Sequence, residues 1–226
     1  MIGITKLKNM AAALVISAGA TLGATQQASA VTFNFLNIPG ADTVGDAYAG
    51  NFSLAVSNLG SGNVLIQIIS AAAPSLGYFI RTIFVDDTNP TSFTSLPTAN
   101  SNVGTNSVGT VNMTRSSGGN LPQGNNVGFS TEFNFNRVNG SANVNAIQQG
   151  ETGGFVFGGN FDAIVASLTS GDLRFGIHLQ GLPNDKSDSY VTSVPQVPLP
   201  AAGFLMLGAL GGLGFMARRR NKQAIA

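Results

Sequence analysis

Apolar and polar residues alternate with a period of two along much of this chain. Val31-Thr32-Phe33-Asn34-Phe35 places its apolar side chains on one face, as a half-buried strand does, and Phe52-Ser53-Leu54-Ala55-Val56 repeats the pattern loosely. Val64 to Ile69 and Tyr78 to Val85 carry β-branched and aromatic residues on both faces, the signature of central strands. Val127 to Phe135 reads as one long strand, with Val127, Phe129, Phe133 and Phe135 on one face and Ser130, Glu132 and Asn134 on the other. Phe155 to Phe161 reads as a glycine-softened strand, and Leu173 to Gln180 alternates throughout.

Turn-forming residues separate these runs at Leu59 to Asn63, Asp86 to Pro90, Ser116 to Asn126 and Asn139 to Asn145. One segment departs from the two-residue period. Asp162 is a cap-capable residue ahead of Ala163 to Leu168, which predicts two helical turns ended by Gly171 or Asp172. Many short strands with one short helix predict an all-β fold, an antiparallel β-sandwich with jelly-roll-like wiring, over residues 31–194.

Composition sharpens this picture. Only 9% of the 226 residues are charged, and the formal charge is +1. Between Asp42 and Asp188 lie all ten acidic residues and five basic ones, so the middle carries about −5. A mildly acidic domain repels polyanions, which argues against nucleic acid as a partner. There is no cysteine, so disulfides, thiolate metal sites and cysteine nucleophiles are excluded. About 165 residues suffice to bury a core without such staples.

The ends of the chain differ from its middle. Lys6 and Lys8, an apolar stretch from Met10 to Ala24, and small residues at Ala28 and Ala30 form the three parts of a secretory signal over residues 1–30. The expected cut lies between Ala30 and Val31, by signal peptidase after passage through the Sec machinery. Pro195, Pro198 and Pro200 stiffen a linker over residues 195–200. The charge-free run 201–217 follows, then a basic tail, 218–226, that opens on Arg218, Arg219 and Arg220. As a transmembrane helix, 17 residues span roughly 25 Å, slightly less than a hydrocarbon core of about 30 Å. Five glycines weaken the helix further. The arginines hold that end in the cytoplasm, which places the acidic middle on the far side of the membrane.

The motif Val197-Pro198-Leu199-Pro200-Ala201, the glycine-rich span and the arginine cluster together resemble the PEP-CTERM family of sorting tails, in its VPLPA-type variant. Leu199-Pro200 stands where the eponymous version has Glu-Pro. The resemblance covers about 30 residues. It implies transient residence in the inner membrane, processing by an exosortase-like enzyme near the proline motif, and delivery to the envelope, outer surface or extracellular matrix of a Gram-negative bacterium. It also implies an association with exopolysaccharide or biofilm.

Candidate chemistry in the middle is sparse. His178 is the only histidine, and in its strand it shares the polar face with Arg174, Gly176 and Gln180, so a solvent-facing histidine is expected. No G-x-S-x-G elbow accompanies it. One histidine without cysteine leaves zinc and copper short of ligands. Glu132 and Glu151 are the only glutamates and would have to converge for a carboxylate-pair hydrolase. Calcium is the cation best matched to the oxygen-rich segments Asp86-Asp87-Thr88-Asn89 and Asp185-Lys186-Ser187-Asp188, but neither has the regular calcium-loop spacing, and the preference of Asp and Asn for turns explains both better. No cofactor and no enzymatic activity are expected. The expected role is structural or adhesive, alongside exopolysaccharide. A lectin-like module using Tyr48, Tyr78 or Tyr190 as an aromatic platform is the first alternative, and a secreted hydrolase the second.

Overall fold

The computed structural model describes residues 30–40, 43–72, 77–88, 92–102, 106–139 and 143–193. The signal segment up to Ser29, including Ala28, lies outside the described residues, as do the sorting motif Val197 to Ala201, the apolar span and Arg218 to Arg220.

Among the described residues, ten strands account for most of the regular structure: β1 (Ala30–Asn37), β2 (Phe52–Gly60), β3 (Asn63–Ser70), β4 (Phe79–Asp87), β5 (Met113–Ser116), β6 (Phe133–Arg137), β7 (Ile147–Gln148), β8 (Thr152–Gly158), β9 (Leu173–Leu182) and β10 (Lys186–Thr192). They form one antiparallel sheet in the order β5-β6-β4-β9-β10-β1-β2-β3-β8, with β7 paired to the start of β4. The layers expected of a sandwich are therefore two halves of a single sheet, curled into a half-barrel. The joint is β1. Its Ala30–Asn34 half pairs with β2 and its Phe35–Asn37 half with β10, so the sheet changes direction within one strand.

The curl brings distant strands together. β6 and β8 lie near opposite ends of the strand order, yet the Phe135 and Phe155 rings are 4.4 Å apart. Phe157 sits 6.2 Å from Phe135 and 6.3 Å from Phe175, both edge to face, the arrangement aromatic quadrupoles favour. With Phe33, Leu54, Ile66, Ile83 and Ile177, all fully buried, these rings fill the concave face.

Strand edges are normally a hazard, because unpaired N–H and C=O groups invite a second chain. Here residues 92–102 and 106–111, of irregular backbone, lie along both ends of the sheet. Arg115 N–H donates to Thr98 and Asn100 N–H to Met113 on the β5 side. Thr94 N–H donates to Gly158, Ser101 N–H to Gly154, and Val108 N–H to Thr152 on the β8 side. The glycines of β8 make room for this strap. A Cβ on Gly154 would stand 1.8 Å from the Asn106 carbonyl oxygen, and one on Gly158 would stand 2.3 Å from Ser95 Oγ.

The helix, α1 (Phe161–Ser170), is longer than predicted, and its N-cap is Asn160 instead of Asp162. The Asn160 side chain accepts from Ala163 N–H at 3.0 Å, and Gly171 ends the helix in a left-handed conformation. The predicted strand Phe155 to Phe161 ends at Gly158 accordingly.

The largest departure from expectation is Val127 to Phe135. Gly124–Val127 is a 3-10 turn, and the strand begins only at Phe133. Phe129 leaves the face shared by Phe133 and Phe135 and joins Ile38, Phe84, Leu121 and Val191 in a separate cluster on the convex side. Residues 118–131 thus form a flap over the convex face. Leu121 sits where a Gly176 side chain would point, with a Cβ there only 2.6 Å from Leu121 Cδ2. The flap also buries Asn134, which lies on the face opposite Phe133 and Phe135. A second departure is β10: its Lys186–Asp188 start reads as a loop, yet it enters the middle of the sheet.

Register also fixes where the chain enters and leaves. Phe35 pairs with Thr192, and Ser193 N–H donates to Asn34, so Ala30 and Ser193 lie at the same end of the half-barrel.

Candidate functional site

An open cleft of about 510 Å³ lies at that same end, within the ~300–1,000 Å³ range of small-molecule sites. Its walls are Leu96, Arg115, Ser116, Ser117, Glu132 and Phe133. The register explains how they meet. β5 pairs with β6 so that Arg115 stands opposite Phe135 and Ser116 opposite Asn134. Two residues before Arg115, Met113 is fully buried; by Arg115 the strand has reached the rim and its side chain is exposed. The flap leaves the cleft just after Ser117 and returns to it at Glu132, whose N–H donates to Val85.

Arg115 and Glu132 are both exposed, and neither side chain has a hydrogen-bond or ion-pair partner among the described residues. Leu96 and Phe133 form an apolar floor. The cleft therefore presents a planar five-donor cation, an acceptor-only anion and two hydroxyls within one concavity. Such a set can donate to and accept from a polar ligand.

The flap is latched by different chemistry. Asp86, 2% exposed, pairs with the Arg174 guanidinium and accepts from Ser130 N–H at 3.0 Å. Arg174 also donates to the Val127 carbonyl at 2.8 Å and to the Gly128 carbonyl, and lies 5.3 Å over the Phe129 ring. Asp86, the first residue of one oxygen-rich segment, is thus committed to an arginine. Asp188, from the other segment, is 3% exposed, and its Oδ1 accepts from Ser189 N–H. Among the described residues, no three His, Asp or Glu side chains gather in a way that could hold a metal ion.

His178 lies on the polar face, as expected, but is half-buried. Its Nδ1 is 3.2 Å from Ser189 Oγ and its Nε2 is 3.5 Å from Gln180 Nε2. Burial, and then the positive charge of Arg81 at the β4 bulge, hold its pKa below the usual histidine value. A serine bonded to the only histidine would attract notice as a nucleophile and base. Ser189, however, has 0% exposure, so its hydroxyl meets no substrate in this conformation.

The two glutamates occupy different settings. Glu132 lines the cleft, whereas Glu151 accepts from Thr110 N–H at 3.1 Å and from Gln148 N–H at 2.9 Å, tying the strap to the turn before β8. The three tyrosines do converge, but at the opposite end and mostly inside. Tyr48 and Tyr78 are 5.5 Å apart, and Phe52 contacts both Tyr78 and Tyr190. Tyr190 donates to the Gly45 carbonyl at 2.7 Å, and Tyr78 accepts from Asn51. Burial raises the pKa of Tyr78 and Tyr190. With Tyr78 and Tyr190 at most 2% exposed, the three cannot form an open platform, and their role is to close that end of the core.

Ala30 and Val31, which flank the expected signal cut, are the first two residues of β1. Of the cleft residues, sequence reading singled out only Glu132. Arg115, Ser116 and Ser117 carry no motif, and their meeting depends on the β5–β6 register. The chain matches no family model, no curated protein and no solved structure.

Proposed function

We propose that this is an exported, non-enzymatic surface or matrix protein with a structural or adhesive role alongside exopolysaccharide. In this reading the signal segment is removed before Val31, and the PEP-CTERM-like tail is handled by an exosortase-like enzyme at the inner membrane. The half-barrel, acting as the two facing layers of a jelly-roll-like sandwich, is then released to the envelope or matrix. The observation that carries the adhesive part is the open cleft in which Arg115 and Glu132 stand uncommitted. Free charged side chains beside an apolar floor are suited to surface contact, and they cost nothing in internal pairing. Two further features are in keeping with it. Both ends of the half-barrel point the same way, as suits a domain carrying a processing segment at each terminus. Both sheet edges are covered, which protects an exported β protein from edge-to-edge association.

The test is a chain tagged ahead of Val31 and again after Ala226, expressed in a host that has the sorting enzyme. The first tag should fractionate with extracellular polysaccharide, and the second should stay with the inner membrane or be degraded. Recovery of both tags together in the membrane would reject the sorting step, and an N-terminal tag confined to the cytoplasm would reject export.

A further inference from the structure

We infer that the cleft at Arg115 and Glu132 is a binding site for a neutral saccharide segment bearing adjacent hydroxyls. The ligand class follows from what the cleft offers. A guanidinium donates in a planar fork and a carboxylate only accepts, so a pair of neighbouring hydroxyls, each both donor and acceptor, satisfies the two at once. The formal charges of Arg115 and Glu132 offset one another, so the ligand needs no charge of its own. Ser116 and Ser117 supply further hydroxyl partners, while half-buried Leu96, with the small exposed part of Phe133, offers an apolar contact to the C–H face of a sugar ring.

An extended peptide is the other ligand a sheet rim attracts, through strand addition. That route is already taken here. The backbone of β5 is bonded to residues 98–100 of the strap, with Arg115 N–H to Thr98 at 2.7 Å and Asn100 N–H to Met113 at 3.0 Å. Recognition is left to side chains. Both ends of the flap border the same cleft, at Ser117 and Glu132, so a ligand held there would also clamp the flap.

This inference rests on the extracellular reading, in which the exported domain lies alongside exopolysaccharide. The two are tested separately. The purified full-length chain is titrated calorimetrically with β-1,4-glucan, α-1,4-glucan and β-1,4-mannan tetrasaccharides, with tetragalacturonate and a Lys/Asp-containing peptide as controls, at 50 and 500 mM NaCl. At least one neutral tetrasaccharide should bind, equally at both salt concentrations, and slow hydrogen exchange at residues 117–119 and 131–133. Arg115→Ala and Glu132→Gln should each weaken binding about tenfold or more, the scale of losing a hydrogen bond to a charged group. Neither side chain has a partner among the described residues, so both variants should melt like the parent. Arg81→Ala, on the bulge of β4, should leave binding unchanged. Failure of every neutral sugar to bind, indifference to both cleft substitutions, or binding confined to the uronate or the peptide would each overturn the inference. All of those outcomes would leave the two-tag separation as it stands.

Discussion

The two faces of the curled sheet are built on different principles. The concave face is almost wholly apolar and is held by shape: phenylalanine rings from β6, β8 and β9 meet across the hollow, and no polar bond selects their partners. The convex face is held by direction. Asn134 donates to the Gly118 carbonyl, Asn136 donates to Asn134 Oδ1 at 2.7 Å, and Thr82 donates to Asn136 Oδ1 at 2.9 Å. The Asp86–Arg174 latch then fastens a flap of mostly irregular backbone over a small apolar cluster. Burial on the first face supplies bulk stability. Pairing on the second decides which segment covers the sheet, and so where the cleft opens.

If that division is right, the costliest single change lies on the concave face. Phe135→Ala removes a fully buried ring at the centre of the aromatic contacts and should destabilise by about 3–5 kcal/mol in urea unfolding, without selectively loosening the flap. Arg174→Met should cost about 3 kcal/mol, the low end for breaking a buried pair, because Asp86 keeps its Ser130 N–H bond. Its distinguishing mark should be local: hydrogen exchange across residues 124–131 should accelerate far more than in the concave strands. Equal acceleration everywhere would erase the contrast between the faces.

Asn134→Ala tests the polar ladder one step further out. It removes the bond to Gly118 and leaves Asn136 Nδ2 without its acceptor, a loss of about 1–3 kcal/mol, visible as a lower urea midpoint with an unchanged slope.

The smallest effect concerns pH. The folded state holds the His178 pKa below that of the unfolded chain, so the unfolded state takes up its proton first as pH falls. The stability this provides is complete above the ordinary histidine pKa of about 6.5 and declines below it. Because His178 is the only histidine, His178→Gln should flatten the stability profile just below about pH 6.5. An unchanged slope would show that the convex environment of His178 does not disfavour its charged form.

Sequence alone determined the class of secondary structure and most strand positions, because a period of two reports which side chains share a face. β1, β3, β4 and β9 fall close to where their alternation places them, and Gly60-Ser61-Gly62 makes the β2–β3 turn, each residue in the left-handed region. It also carried the processing readings at both ends, which rest on charge and apolar length and not on packing. What sequence could not supply was anything set by contacts between distant segments. Val127 to Phe135 has the pattern of one strand, but a pattern does not say which sheet face a phenylalanine will find. Asp86 and Arg174, 88 residues apart, draw Phe129 to the convex side. Asp188 read as a loop residue because aspartate favours turns, and only pairing between β1 and β9 places it in a central strand. The cleft is the extreme case. Arg115 and Glu132 are ordinary surface charges in the sequence, and they share one concavity because strand register, the covered rim and the returning flap place them there.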